Sequence, residues 1–259
     1  MTEIQRPGAL YQQVAAAIRE AILSGEYAPG APLPSEAQLM ERYKVSRPTV
    51  RNAVSALRAE GLIDVRHGKG SFVRADGRPV VSLAGYVGRT SGGNFVLHGV
   101  AKWQQAEEPS TYRTHATEAT AHLLELRAEE ALFGCDRLLI DPATGTRAMH
   151  RMLIPFATAE AVPELAEAPD ADPATAYELL TKAGHKLWWS ETVRARMPLP
   201  DERTALRLPD ATPVLHQSRV TCGTDDQALM LEELRIGADR AELNYRITAE
   251  KQPTRRARA

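Results

Sequence analysis

Ser46, Arg47, Thr49 and Arg51 set two guanidinium groups and two hydroxyls within six residues. On a helix, spacings of four and eleven residues are close to whole turns, so Arg47, Arg51 and Arg58 would share one side. A guanidinium can pair bidentately with O6 and N7 of guanine, and a threonine can meet a phosphate or a thymine methyl. Ser35 opens a second such segment, where the free N–H groups of a helix start suit a phosphate. His67, Gly68, Lys69 and Gly70 add a tight turn whose glycines let the backbone come close to a partner while Lys69 meets phosphate. From Glu41 to Arg74 there are 8 Lys or Arg against 3 Asp or Glu, whereas the 259-residue chain carries a net charge of −1. By charge alone this stretch could equally be a solvated face. Only 6 of the 32 basic residues are Lys, so arginine is favoured along the whole chain and its abundance carries no weight by itself.

These groups need elements to present them. Residues 8–24 read as an amphipathic helix with Leu10, Val14, Ile18, Ala21 and Ile22 on one face, ended by Gly25. Tyr27–Pro32 is a turn-rich connector. Ser35 with Gln38 fits a capping box, and a short helix follows with Leu39 and Met40 inward. Lys44-Val45 breaks it. Ser46 caps the next helix, which tolerates Pro48 in its first turn and runs to about Ala59. Val50, Ala53, Val54 and Leu57 form its buried stripe, and Gly61 terminates it. Residues 62–66 and 71–74 alternate as strands about the turn at 67–70. Three helices and a hairpin in this order suit a winged helix-turn-helix, in which the N-terminal side chains of the second helix of the pair enter the major groove. A small helical subdomain whose arginines are merely solvated would show the same helix pattern.

Beyond a linker at Ala75–Pro79, strands alternate with helices and no repeat is detectable. The expected strands are Leu132–Ile140, His150–Pro155, Trp188–Met197, Val214–Cys222 and Ala228–Ile236. Short helices are expected at Thr117–Leu126, Thr175–Ala183 and near Asp201–Leu206. Hairpin connections suggest an antiparallel α+β sheet. Arg194 and Arg196 share a side of their strand with Trp188, Ser190 and Thr192, lining either a polar pocket or a solvated face. Thr254–Ala259 reads as a basic, disordered tail.

The details within residues 11–73 carry a resemblance. Tyr11, Gly25, Pro29-Gly30, Leu33-Pro34-Ser35-Glu36, Leu39, Val45-Ser46-Arg47-Pro48-Thr49-Val50-Arg51, Leu57, Glu60-Gly61-Leu62-Ile63 and Gly68-Lys69-Gly70-Ser71-Phe72-Val73 follow, in order, the pattern of the DNA-binding domain of GntR-family bacterial transcription regulators. This stretch closely resembles that domain. The resemblance implies DNA contacts at Ser46, Arg47, Thr49, Arg51, His67 and Gly68, to which the residue chemistry above adds Ser35, Lys69 and Gly70. Two departures stand out. Ala37 occupies a position where many members carry an Arg that touches DNA, and Pro48 replaces a residue that is usually not proline.

Residues from about 82 to 250 resemble, more loosely, the UTRA effector-binding domain of the HutC subfamily, whose fold is like chorismate lyase. The carriers are Ala121-His122-Leu123-Leu124, Arg137, Ile154-Pro155, Gly184-His185, Arg194-Ala195-Arg196, Leu206 and Leu208-Pro209, Pro213-Val214-Leu215, Arg219-Val220, Ala238-Asp239-Arg240 and Tyr245. The region 85–117, with Trp103, fits poorly. The resemblance places Arg137 near a ligand, with Glu232 or Glu233 opposite. Arg137 suits an anion, because guanidinium pairs bidentately with carboxylate or phosphate, though a structural ion pair would look the same. Arg194 is a further candidate for the effector site.

The implied organisation is a winged helix-turn-helix domain at 1–75, a linker at 76–81, an effector-binding and dimerisation domain at 82–250, and a tail at 251–259. The function implied is a cytoplasmic, homodimeric regulator. It would be a repressor released from a palindromic double-stranded operator by a small-molecule effector, anionic if Arg137 anchors it. No cofactor, metal or membrane partner is expected, and no enzymatic activity. The seven histidines show no metal spacing, no phosphate loop or nucleophile elbow is present, and no run of about 18 apolar residues occurs. The N-terminal residues hold no apolar signal region. Cys135 and Cys222 sit in apolar strand-like runs and read as core residues rather than a disulfide framework.

Overall fold

The computed structural model describes residues 9–66, 68–75, 80–84, 87–97 and 102–244. His67, most of the expected linker and the basic tail lie outside the described residues. The architecture is mixed α+β, a helical N-terminal domain followed by a sheet-rich C-terminal domain.

The N-terminal domain packs α1 (Leu10–Leu23), α2 (Glu36–Tyr43) and α3 (Arg47–Ala59) against a hairpin of β1 (Ile63–Arg66) and β2 (Gly70–Val73). Val14, Ala15 and Ile18 of α1 meet Leu39 of α2 and Val50, Ala53 and Leu57 of α3 in one buried cluster, closed by Ile63 and Val73. Val54 and Met40, expected inward, are only half-buried. The capping box at α2 forms: Ser35 Oγ accepts from Gln38 N at 3.3 Å, and Gln38 Oε1 accepts from Ser35 N at 2.9 Å. At α3 Ser46 occupies the cap position, but its hydroxyl bonds Thr49 Oγ1 at 2.9 Å rather than a backbone N–H. The connector before α2 does more than turn. Leu33 N donates to Ser71 O at 2.8 Å and Val73 N to Ala31 O at 2.9 Å, so residues 31–33 run along β2 as a third rib of the hairpin.

The C-terminal domain begins with short strands β3 (Val81–Ala84), β4 (Val87–Arg89), β5 (Phe95–Leu97), β6 (Gln104–Gln105) and β7 (Ser110–His115). Helix α4 (Glu118–Leu124) leads to the long strands β8 (Ala131–Ile140) and β9 (Arg147–Pro155). Helices α5 (Phe156–Ala161), α6 (Pro163–Glu167) and α7 (Pro173–Lys182) follow. The chain continues through β10 (Trp188–Arg196), α8 (Pro200–Leu206), β11 (Val214–Cys222), β12 (Ala228–Gly237) and β13 (Ala241–Asn244).

The seven-stranded sheet runs β10-β11-β12-β9-β8-β6, with β7 also paired to β8, and every pairing in it is antiparallel. Outside it, β13 pairs with β3 in parallel as a separate two-stranded sheet, a pairing the sequence did not suggest. Strand β12 is buried along nearly its whole length, because α7 and β5 cover one side of the sheet and α4 the end of the other. Cys135 and Cys222 are buried and free. No helix among the described residues is long and apolar enough to cross a membrane.

A buried acid fixes the end of the sheet. Glu202 of α8 has a fully buried side chain and accepts from Arg196 NH1 and NH2 at 2.6 Å each, from Leu199 N at 2.9 Å and from Arg235 NH1 at 3.4 Å. The Arg196 hydrogen bonds outweigh burial, and with the Leu199 N–H they hold the carboxyl at about 2, below its ordinary 4.5. A depressed acid stabilises the fold fully above pH 4.5, and that contribution is lost as pH falls from 4.5 toward 2. Glu202→Gln should therefore lower stability at neutral pH by about 2–3 kcal/mol, allowing for the partly exposed Arg196. It should also flatten the acid limb of the stability curve between pH 4.5 and 2, and chemical denaturation across that range measures both effects.

Candidate nucleic-acid interface and ligand cavity

Two sites emerge, one at each end of the molecule. At the first, the start of α3 points to solvent. Arg47 and Arg51 have side chains 58% and 64% exposed, and Ser46 beside them is exposed as well. Thr49 is half-buried and tied to Ser46. Exposed Ser35 and Ala37 stand at the neighbouring start of α2. Because α1, α2 and β1 take up the apolar stripe of α3, the arginine side must face outward.

Both arginines lean on a residue absent from the list of candidates. Arg51 Nε donates to Glu36 Oε1 at 2.9 Å and Oε2 at 3.2 Å, and Arg47 Nε lies 3.6 Å from Glu36 Oε2. Glu36, in the first turn of α2, thus gathers two cations that would otherwise repel. It sits 11 and 15 residues away in sequence, so no local periodicity marks it.

The hairpin turn closes with Lys69 N donating to Arg66 O at 3.0 Å. Gly68 and Gly70 adopt φ of +69° and +100°, which side chains with a Cβ resist, so the turn depends on glycine at both places. Lys69 is exposed at the tip. His67 lies outside the described residues.

Where the two domains meet, Asp210, between α8 and β11, binds three arginines. Its carboxylate accepts from Arg58 of α3 and, at 2.6 Å, from Arg203 NH1, while its carbonyl accepts from Arg74 NH2 at 2.5 Å. Arg58 belongs to this contact rather than to the solvent-facing pair at the helix start.

The second site is a cavity of about 420 Å³ against one face of the large sheet. Strand register explains its lining. Arg137 pairs across β8–β9 with His150, His150 across β9–β12 with Leu234, and Leu234 across β12–β11 with Gln217, so all four share a face. Glu232 and Arg219 lie directly opposite one another on that same face. Arg137 and Glu232 therefore line the cavity together. Arg194 and Glu233 do not line it, because alternation sends them to the other face, where Glu233 pairs with His216 at 3.2 Å. The sequence left Glu232 and Glu233 as alternatives, and register separates them.

Arg137 is 6% exposed. Its NH2 donates to Asp170 O and Ala171 O at 2.9 and 2.7 Å, and its NH1 lies 3.4 Å from His150 Nδ1. All these partners are neutral groups, provided His150 Nδ1 accepts and Nε2 carries its proton. Nε2 then faces Glu232 Oε1 at 3.4 Å, and the buried Tyr177 hydroxyl donates to Glu232 Oε2. Burial alone would push the Glu232 carboxyl up. His150, the charge of Arg219 and the Tyr177 hydroxyl together hold it below its ordinary value. Burial, reinforced by Glu232, raises the Tyr177 hydroxyl well above its ordinary range. Arg219 donates to Glu191 at 2.8 and 3.0 Å. Opposite this polar floor stand Leu83, Phe95, Leu97 and Trp103, from a region the sequence left unassigned.

Residues 10–73 match the family described as bacterial regulatory proteins, gntR family. The N-terminal domain is therefore similar to the helix-turn-helix domain of that family. The chain is 46% identical over 63 residues to an uncharacterized HTH-type transcriptional regulator of Mycobacterium tuberculosis, covering 24% of this chain and 26% of that protein. It is 33% identical over 153 residues to the HTH-type transcriptional repressor NanR of Cronobacter sakazakii, covering 56% and 57% of the two chains. The chain spans about a quarter of the length of the first of these relatives and little more than half of the second. Across 94% of this chain and 99% of the other, the fold matches the crystal structure of a putative GntR-family transcriptional regulator with a TM-score of 0.69 at 23% identity. At that identity the likeness is one of fold.

Glu36 gives the N-terminal domain a measurable property. Glu36→Gln removes a negative charge beside two exposed arginines and frees both. Affinity for an unrelated duplex should rise by about two- to five-fold at low salt, the worth of an exposed ion pair. Fluorescence anisotropy with a labelled random duplex measures this, and an unchanged affinity would show that Glu36 does not restrain the pair.

Proposed function

We infer that the chain is a DNA-binding transcription regulator of the HutC subfamily of the GntR family, a repressor released from a palindromic operator by a small-molecule effector. The observation that carries this reading is the exposed start of α3, with Ser46, Arg47 and Arg51 turned to solvent inside the residues that match the gntR family. Helix α3 is the reading element, the glycine turn with Lys69 is the wing, and Ser35 at the α2 start meets a phosphate. His67, Gly68 and Gly70 complete the wing contact. The domain boundaries belong to the same reading: DNA binding within 1–75, a linker at 76–81, and a UTRA domain of chorismate-lyase-like fold over 82–250. The cavity against the large sheet is the effector site, with Arg137 and Glu232 in it.

Two copies would pair through their C-terminal domains and place two α3 helices on half-sites about one helical turn apart or closer. The effector acts by binding the two arrangements of the dimer with different affinity. Such a protein works in the cytoplasm, where its DNA lies, and performs no catalysis. Relatives named as repressors favour repression over activation.

The test is binding to duplex DNA from upstream of the chain's own gene, measured across a salt series. Arg47→Ala should cost about 1–3 kcal/mol and relax base preference at one position of each half-site. Wild-type affinity and selectivity in that variant would remove α3 from the groove. Lys69→Ala should weaken binding to all sequences alike and reduce the slope of log affinity against log salt by about one per protomer. A slope equal to that of the parent would take Lys69 off the phosphates.

A further inference from the structure

We propose that the cavity takes a small monocarboxylate with a bulky apolar body, an aryl or medium-chain alkyl acid, its carboxylate against Arg137 and its body against Leu97 and Trp103. The proposal rests on the effector-site reading above and adds the chemical class of the ligand.

Three observations carry it. The first is the unequal lining. Leu83, Phe95, Leu97 and Trp103 form one wall, and Leu139 and Leu234 extend the apolar surface onto the sheet. A sugar or sugar phosphate would bury its hydroxyls against this wall without partners, which costs each of them a hydrogen bond to water. An apolar body loses nothing there.

The second observation is the state of the charges on the floor. Asp172 is taken up as the cap of α7, its carboxylate accepting from Ala174 N, Thr175 N and the Thr175 hydroxyl. Glu232 is held by His150 and Tyr177. Arg219 is paired with Glu191. Arg137 differs from all of these. It is buried at 6% exposure, its contacts are two backbone carbonyls and a histidine nitrogen, and its Nε has no hydrogen-bond partner. A buried cation with no carboxylate against it among the described residues is the group an anionic ligand would complete.

The third is the limit those charges set. Glu232 and Asp172 both line the cavity, so a phosphate dianion would meet two like charges with one unpaired cation to offset them. A single negative charge matches Arg137 alone. The cavity volume, about 420 Å³, lies in the range of small-ligand sites.

The experiment titrates the full-length protein with 2-naphthoate, octanoate, 2-naphthamide and glucose 6-phosphate. Calorimetry gives affinities and thermal unfolding gives midpoints. At least one carboxylate should bind and raise the midpoint, 2-naphthamide should bind at least ten-fold more weakly than 2-naphthoate, and glucose 6-phosphate should bind more weakly than either acid. Arg137→Met should bring 2-naphthoate down to the affinity of the amide. Trp103→Ala should weaken both naphthyl compounds by about ten-fold and keep the acid-to-amide ratio, which covers the case in which the Arg137 variant does not fold. Equal binding of acid and amide, tighter binding of glucose 6-phosphate, or no binding of either acid would overturn the proposal. Operator affinity measured in parallel separates the two readings. A carboxylate that binds without changing operator affinity upholds the ligand class and overturns the ligand response.

Discussion

In the seven-stranded sheet each backbone step turns the side chain to the opposite face, and antiparallel pairing carries that alternation from strand to strand. The consequence is a division of charge. Arg137, His150, Gln217, Arg219 and Glu232 fall on the face with the cavity, while Asp136, Arg151, Glu233, His216 and Arg235 fall on the other. A shift of one residue in β12 would exchange Glu232 for Glu233 and break up the chain from Arg137 through His150 and Glu232 to Tyr177. The fully buried Tyr177, packed edge-on against Phe95 and Trp189 with ring centroids 5.5 and 5.2 Å away, fixes that chain from above. The register and the aromatic packing therefore support one another, and the cavity exists because both hold.

The N-terminal domain obeys a different constraint. Helix α3 must bury Val50, Ala53 and Leu57, and this commits Arg47 and Arg51 to solvent. Two exposed guanidinium groups one turn apart repel, and Glu36 offsets this from the adjacent helix. The capping box that starts α2 is thus also what sets the position of Glu36. The same few residues, Pro34 to Gln38, begin a helix and organise the cationic surface of the next one.

Much of this could be read from the residues, and the parts that could not share physical causes. The three N-terminal helices were legible because each has apolar spacing near 3.6 and a Ser or Gly at an end, and the third carries its proline where a first turn tolerates one. The long strands β8 to β12 were legible as extended runs rich in apolar residues between turn signals, although β9 begins at Arg147, three residues before the expected His150. Strands β4, β5 and β6, of two or three residues, are too short for a period to show, and β5 builds part of the apolar wall of the cavity. The parallel pairing of β3 with β13 joins residues some 160 apart, beyond the reach of any local pattern. Helices α5 and α6 follow one another in six and five residues, with their break at Val162 set by Pro163. Glu36 was visible as part of a motif, but its partners come from another helix. Ser46 was placed correctly at the start of α3, yet its hydroxyl chose Thr49 over the backbone.

Asp210 gives the joint between the domains a particular character. Arg58 and Asp210 are partly exposed, with side chains 47% and 36% accessible, so their attraction is open to mobile ions. Dissolved electrolyte weakens such a pair over the same range in which it strips counterion-driven contacts from a nucleic acid backbone. Under the proposed DNA-binding function, the stiffness with which the two domains are held and the grip of the outer one on DNA would relax together as salt rises. Ionic strength would act on both through one physical quantity, the screening length of the solvent.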